Sequence, residues 1–462
     1  MIEDLYSENK KLKWFLIHLL LGYSCIFFSQ IIIIWFYSFL IISLHKIISD
    51  YILRGSSFYL LPLIIYLSSF EVFARILKSG PYIPWELSKY LFSFTFIFYL
   101  LTTKIKFKKP IGFLMILILI PGSIIDLSNR VSFGLLVYNL MGPLSIAFLL
   151  IILGKTRINE NHFNSYLRSL WYSSITMLVY VTILTPNISE LNFSLNANFQ
   201  ATAGFGSNQV STILGIGMFL SFYAWMNKKE FSNSHRIDGL FIALFAYQGF
   251  LSFSRGGMVV GLFCILIYYI FLKLSKNYHA IAKNRKLKPT TFFGIGLFFV
   301  FGSYLLINII SEGNINDRYL GETQKTLDGE AVRTLNTMTT GRYELVKSDF
   351  RLWGKNFIFG TGVGASKFLR DSGISYAASH TEFSRLVAEH GIFGLFYILI
   401  LFYFFIKMVF KTRKTVGNAI LFSLFLIGIG TMMHSGMRTF VSPVFIAISS
   451  MIITTNDEDA IL

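Results

Sequence analysis

The chain has 462 residues, 54% of them hydrophobic and only 14% charged, with a mean hydropathy of +0.60 and a formal charge of +17. A water-soluble fold of this length would need far more charge on its surface, so a soluble enzyme is excluded. A nucleic-acid-binding role is excluded by where the positive charge falls, which is in short links between apolar runs as the positive-inside rule gives.

Apolar runs of roughly 15–22 residues recur along the chain, the length a helix needs to cross about 30 Å of hydrocarbon. The long Ile, Leu and Phe runs lack the alternation of barrel strands. The first run, Trp14–Ser49, is too long for the apolar core of a cleaved signal peptide and reads as retained. It is either one long tilted helix or a tight hairpin, and Lys10, Lys11 and Lys13 favour the hairpin. Further spans are predicted near Phe58–Leu77, Ser88–Thr103, Ile111–Ile125, Phe133–Leu153, Ser169–Pro186, Gln209–Met226, Gly239–Phe253 and Gly256–Leu272. Phe292–Ile310, Ile392–Val409, Gly417–Met433 and Phe440–Ile453 complete the series. The total is about 13 or 14, or about 12 if one short run is re-entrant. Cys25 and Cys264 fall in apolar runs without metal spacing and read as packing residues.

The expected fold is all-α: a polytopic membrane helical bundle with about 12–14 transmembrane helices and one large external loop before the last three spans. If the Lys- and Arg-rich block between Lys273 and Lys288 is cytoplasmic, the loop at 311–390 lies outside. That loop holds ten of the 24 Asp and Glu residues, balanced by ten Lys and Arg, and is where chemistry on polar molecules is expected.

Four outer stretches carry candidate functional residues. Glu71, Arg75 and Lys78 precede Pro81–Glu86, a rigid link whose prolines flank Tyr82 and Trp85. Asn196–Gln200 and Gly204–Gln209, with Asn208 and Gln209, form a polar, Gly-rich entry into a span, where free backbone N–H groups suit an anion or a sugar. Ser254-Arg255-Gly256-Gly257 sits between two spans; its glycines are expected to let the chain approach a ligand, and its guanidinium stays charged at any relevant pH. In the large loop, Tyr343, Val346, Phe350 and Trp353 recur at helical spacing, so Arg342 stands near a helix start, where a cation is unfavourable unless an anion is shared. Gly360–Gly364 lacks the context of a dinucleotide-binding unit and reads as a flexible turn. Ser379 and Glu382 fit a capping box, which puts His380 in a first helical turn, where the dipole keeps the imidazole neutral and able to accept a proton. His390 is expected to pack or bond at the interface.

Taken in order, Gly204–Gln209, Ser254–Gly257, Gly341-Arg342, the Gly360–Gly364 turn, His380 and Glu389–Gly394 resemble the O-antigen ligase and O-antigen polymerase family of bacterial membrane glycosyltransferases, over roughly residues 190–450. The resemblance implies N-terminal transmembrane helices at 1–186 and a ligase-like transmembrane domain at 187–462 that includes the loop. It implies transfer of a glycan from an undecaprenyl diphosphate carrier to an acceptor hydroxyl on a glycan or lipid, on the periplasmic face of the bacterial cytoplasmic membrane, without metal or other cofactor. Carried over by motif, Arg255 and Arg342 bind the carrier diphosphate, with Arg75 as a further candidate, and His380 acts on the acceptor hydroxyl. Asn208, Gln209 and Glu382 are candidate acceptor or sugar contacts. Where the family often has asparagine after the histidine, this chain has Thr381.

The chemistry fits this assignment. Displacing a lipid diphosphate from an anomeric carbon needs charge stabilisation on the leaving group, which two arginines supply through bidentate bonds, and removal of a proton from the attacking hydroxyl. The acceptor stays open between the lipid A core (ligase), another carrier-linked repeat (polymerase) and a protein hydroxyl (O-oligosaccharyltransferase). A lipid-linked glycan flippase is the alternative class; it predicts mid-span charges and inverted halves, whereas the charged candidates here cluster on one face.

Overall fold

A computed structural model of the chain describes residues 7–54, 60–86, 88–90, 93–94, 96–97, 110–191, 193, 197–275, 288–321, 334–370, 381–412 and 416–454. The predicted span at Ser88–Thr103 falls largely outside these, as do Asn196, Ser379 and His380.

The first apolar run is a hairpin, α1 (Lys11–Phe27) and α2 (Ile31–Arg54). Then follow α3 (Leu60–Ile76), α4 (Pro110–Ile124), α5 (Phe133–Leu153), α6 (Glu160–Leu184), α7 (Ser207–Asn227), α8 (His235–Leu251), α9 (Arg255–Leu274) and α10 (Pro289–Ile310). The large loop carries α11 (Asn314–Leu320), α12 (Leu335–Met338), α13 (Arg342–Lys355), α14 (Ser366–Leu369) and α15 (Glu382–His390), and the chain ends through α16 (Ile392–Thr412), α17 (Val416–His434) and α18 (Val441–Ile448). Among the described residues, eight helices are long and apolar enough to cross a membrane: α2, α5, α6, α7, α9, α10, α16 and α17. The fold is an all-α polytopic bundle, with one short parallel pair between β1 (Arg157–Asn159) and β2 (Ile452–Thr454).

One predicted span is corrected. Phe440–Ile453 does not form a membrane-length helix: α18 has eight residues, about 12 Å at 1.5 Å per residue. Every residue of α18 is buried, against α5, α17 and α3. Its apolar composition answers to protein on all sides, which a hydropathy window does not separate from lipid.

The site is positioned by a glycine-mediated crossing. α7 is buried along nearly its whole length and packs on α6, α8 and α9. A β-carbon on Gly257 would fall 2.2 Å from the Ser211 carbonyl oxygen, one on Gly261 would fall 2.6 Å from that of Gly215, and one on Gly215 would fall 2.2 Å from that of Gly257. The Gly257–Gly261 pair of α9 therefore meets the Ser211–Gly215 pair of α7 backbone to backbone, the small-residue packing that substitutes for hydrophobic driving force between helices in lipid. α9 packs equally closely on α17, with Gly430 against Val260 and Gly256 against His434.

The large loop folds onto the bundle instead of standing off it. α13 starts at Arg342 as expected, after Gly341 at φ +78°. Its buried face is Leu345, Ser348, Asp349 and Leu352, whereas Tyr343 and Phe350 of the predicted stripe are exposed. The buried face is held by an ion pair from Arg370 to Asp349 (2.7 Å), whose second oxygen accepts a hydrogen bond from the Ser384 hydroxyl. The Gly360–Gly364 turn is also not the flexible turn expected. Thr361 and Gly362 donate their N–H groups to the Ala388 and Glu389 carbonyls, Val363 donates to that of Gly122, and the stretch is buried. Its glycines take φ of +74°, +97° and +80°, which side chains rarely adopt and which lets three backbones pass at close range.

Candidate functional site

Arg255 and Arg342 start different helices, 87 positions apart in sequence, yet line one cavity of about 510 Å³. Arg255 donates to the Tyr319 carbonyl (3.3 Å) and the Thr340 hydroxyl (3.2 Å), which ties the first turn of α9 to α11 and to the loop before α13. The Arg342 guanidinium makes no hydrogen bond or ion pair among the described residues. Two further arginines join them. Arg318, on α11, reaches the Phe253 carbonyl at 3.5 Å, and its pKa is held down to about 10 by burial and by the charges of Arg255 and Arg342. Arg342 is likewise depressed, by burial first and then by Arg255 and Arg438. Arg255, Arg318 and Arg342 thus lie in one field, which Arg438 reaches through Arg342, and no carboxylate is paired to them among the described residues. Such a cluster is unfavourable by itself and becomes favourable when an anion is shared.

Below the arginines the cavity turns apolar. Val259 and Val260 of α9, with Gly430 and Met433 of α17, form one wall, and Val259 and Met433 are more than half exposed on the outside of the bundle. Met338 and Val346 face them from the loop. A charged head group with an apolar tail would find matched surroundings along this wall.

His434 also lines the cavity, buried at the end of α17. The sequence reading assigned the two glycines after Arg255 to close approach by a ligand. The structure gives a different reason: Gly256 lies against the His434 ring and Gly257 against the α7 backbone.

The remaining predicted residues divide. Arg75 is not at the cavity: its guanidinium is buried and donates to the Trp85 carbonyl (3.1 Å), the Gln209 side-chain oxygen (2.8 Å) and the Arg438 carbonyl (2.7 Å), with Glu71 at 3.3 Å. It positions the Arg438 segment, and Gln209 is its partner. Asn208 accepts from the Ser254 hydroxyl (2.9 Å), which also meets Ser211, so the amide steadies the residue before Arg255. Glu382 is bonded to Arg385 and lines a second cavity.

His380 lies outside the described residues, and its neighbour Thr381 lines the arginine cavity. The predicted capping box is corrected, because α15 begins at Glu382 with Thr381 as N-cap. The hydroxyls of Thr381 and Ser384 meet at 2.6 Å, and the Glu382 carboxylate turns to Arg385. His390 is buried at the end of α15, with its pKa pushed down to about 3 by burial and by Arg385, so it packs as a neutral ring.

Arg318, Arg438 and His434 were missed by sequence reasoning. Arg438 carried a usable signal, as the one Lys, Arg, Asp or Glu between Val416 and Thr454; an isolated charge in an apolar region is functional by default. Arg318 looked like one charge among many in a polar loop.

Residues 239–399 match a family model described as O-Antigen ligase. Comparison with curated proteins and with solved structures gives no match. The matched stretch runs from α8 into α16 and spans Arg255, Arg318, Arg342 and Thr381, and it supports the resemblance to the O-antigen ligase and polymerase family.

Proposed function

From the premise that residues 239–399 are an O-antigen ligase domain in an integral membrane protein of glycosyltransferase type, we propose that the chain transfers a glycan from an undecaprenyl diphosphate carrier to an acceptor hydroxyl. The observation that carries this reading is the cavity with Arg255 and Arg342 at its polar end and Val259, Val260, Gly430 and Met433 along its apolar wall. A diphosphate joined to a long isoprenoid chain has that same division of polarity.

In the proposed reaction the acceptor oxygen attacks the anomeric carbon as the bond from that carbon to the diphosphate oxygen breaks. The electron pair leaves with undecaprenyl diphosphate, whose growing charge is stabilised by Arg255 and Arg342, with Arg318 and Arg438 adding to the field. The acceptor's proton passes to His380, which directly precedes Thr381 at the cavity. Attack from the face opposite the diphosphate inverts the anomeric centre. The site opens on the periplasmic side of the cytoplasmic membrane, and residues 187–462 form the transferase unit.

The test is transfer in proteoliposomes holding the full chain, an undecaprenyl diphosphate-linked oligosaccharide and a defined acceptor. Polymer lengthening on the carrier marks a polymerase, a glycan on lipid A core marks a ligase, and a glycan on protein marks an oligosaccharyltransferase. Movement of the lipid-linked glycan across the bilayer with no transfer in any arm would overturn the reading in favour of a flippase.

A further inference from the structure

A second cavity, of about 120 Å³, lies across the start of α15 from the first: Thr381 lines one and Glu382 the other. Its walls come from five stretches of the chain, through Lys89, Asn139, Lys367, Arg385, Glu389 and Arg438. Lys89, Arg385 and Glu389 are each more than nine-tenths buried. A built network fixes three of these cations. Arg385 donates to Glu382 (3.3 Å), Glu389 (2.9 Å) and the Asn139 side chain (3.1 Å); Lys89 pairs with Glu86; Arg370, also lining the cavity, pairs with Asp349. Lys367 and Arg438 differ, because neither meets a carboxylate among the described residues. The Lys367 ammonium instead stands 4.7 Å from the Phe368 ring, and the Arg438 charge is felt by Arg342 in the neighbouring cavity.

A network that only tied the loop to the bundle would be expected to balance its charges. This one sets five cations (Lys89, Lys367, Arg370, Arg385, Arg438) against four carboxylates (Glu86, Asp349, Glu382, Glu389). Because two of the carboxylates share Arg385, it leaves Lys367 and Arg438 without a carboxylate contact among the described residues, beside hydrogen-bonding groups that suit ring hydroxyls: Asn139, Ser366 and the two glutamates. We propose that this cavity is a subsite for an anionic sugar unit of the glycan substrate, its carboxylate or phosphate substituent held by Lys367 and Arg438. The two cavities adjoin at Thr381 and Glu382, so the subsite would hold the sugar next to the reacting linkage and select glycans that bear a negative charge there. The inference rests on the glycan-transfer reading for its meaning, but its binding chemistry is tested without turnover.

The experiment measures binding of D-glucuronate, D-glucose 6-phosphate and D-glucose to the purified full chain in nanodiscs, with inorganic pyrophosphate saturating the arginine cavity. At least one charged sugar is expected to bind at least fivefold tighter than glucose, and which one binds assigns the substituent. Lys367→Gln is expected to remove that preference while leaving pyrophosphate affinity unchanged, since Lys367 lines only the second cavity. Equal binding of glucose, no binding of either charged sugar, or an unaltered preference in Lys367→Gln would overturn the proposal. Failure of the transferase reading is separable: it shows as no glycan transfer by the wild-type protein, whatever the sugar-binding result.

Discussion

Gly256 and His434 are in contact across the α9–α17 interface, so close that a β-carbon on the glycine would fall 2.5 Å from the imidazole ring. The residue after Arg255 therefore has to be glycine for the end of α17 to close over the first turn of α9. Gly256→Ala forces the ring, and with it the cavity wall, to move. Overpacking of this kind costs about 1–3 kcal/mol. Thermal unfolding in detergent is expected to fall accordingly, and transfer activity to fall further than stability does. Unchanged melting and unchanged transfer would show that the interface yields freely.

Arg255→Ala, Arg342→Ala and His380→Ala are each expected to abolish glycan transfer while the protein inserts and accumulates normally. Loss of one donor to a developing oxyanion costs about 10²–10³-fold in rate, and loss of a general base about 10²–10⁴-fold. Glycan ladders like those of the wild type from all three would end the assignment. For the arginines, inorganic pyrophosphate affinity gives a readout without turnover.

The two faces of α13 make opposite predictions. Leu352, 8% exposed, lies on the buried face, so Leu352→Ala should destabilise by about 2–5 kcal/mol. Phe350 is 49% exposed, and Phe350→Ser should stay within about 0.5 kcal/mol. Denaturant unfolding of the two variants decides between them, and the reverse ranking would put the aromatic stripe on the buried face.

Burial and Arg385 hold His390 at about 3, against 6.5 for an exposed histidine. Between those values the unfolded chain binds a proton that the folded chain refuses, so stability falls as pH drops through this window. The slope from one such group reaches about 1.4 kcal/mol per pH unit. His390→Gln should show a flatter decline between pH 6.5 and pH 4.5 than the wild type, measured by unfolding at several pH values. Glu389 and Asp349 are present in both proteins, so the difference in slope isolates His390. Parallel curves would show that the ring is protonated in the fold.

Much of the bundle is legible in the sequence. Runs such as Phe133–Leu153 become helices with the expected bounds, because lipid leaves a backbone no other way to satisfy its polar groups. The Trp14–Ser49 run was readable as a hairpin from its flanking lysines. What misled was apolarity with a different cause. α18 is apolar because protein surrounds it, and Tyr343 and Phe350 of α13 are exposed even though they recur at helical spacing. Arg75 and Gln209 looked like ligand contacts because they are polar at the end of a span, but they are partners of each other.

The sequence alone determined that the chain crosses a membrane and that its charged candidate residues gather in and around one loop. These follow from composition and local spacing, which the bilayer reads residue by residue. Only the tertiary structure decided which charges share a field. Arg318 and Arg438 join Arg255 and Arg342, while Arg75 is drawn off into a clamp, because pairing depends on which helices meet. That meeting is set by close approach at Gly257, Gly261 and Gly256, whose lack of a β-carbon matters only when another chain segment lies against them.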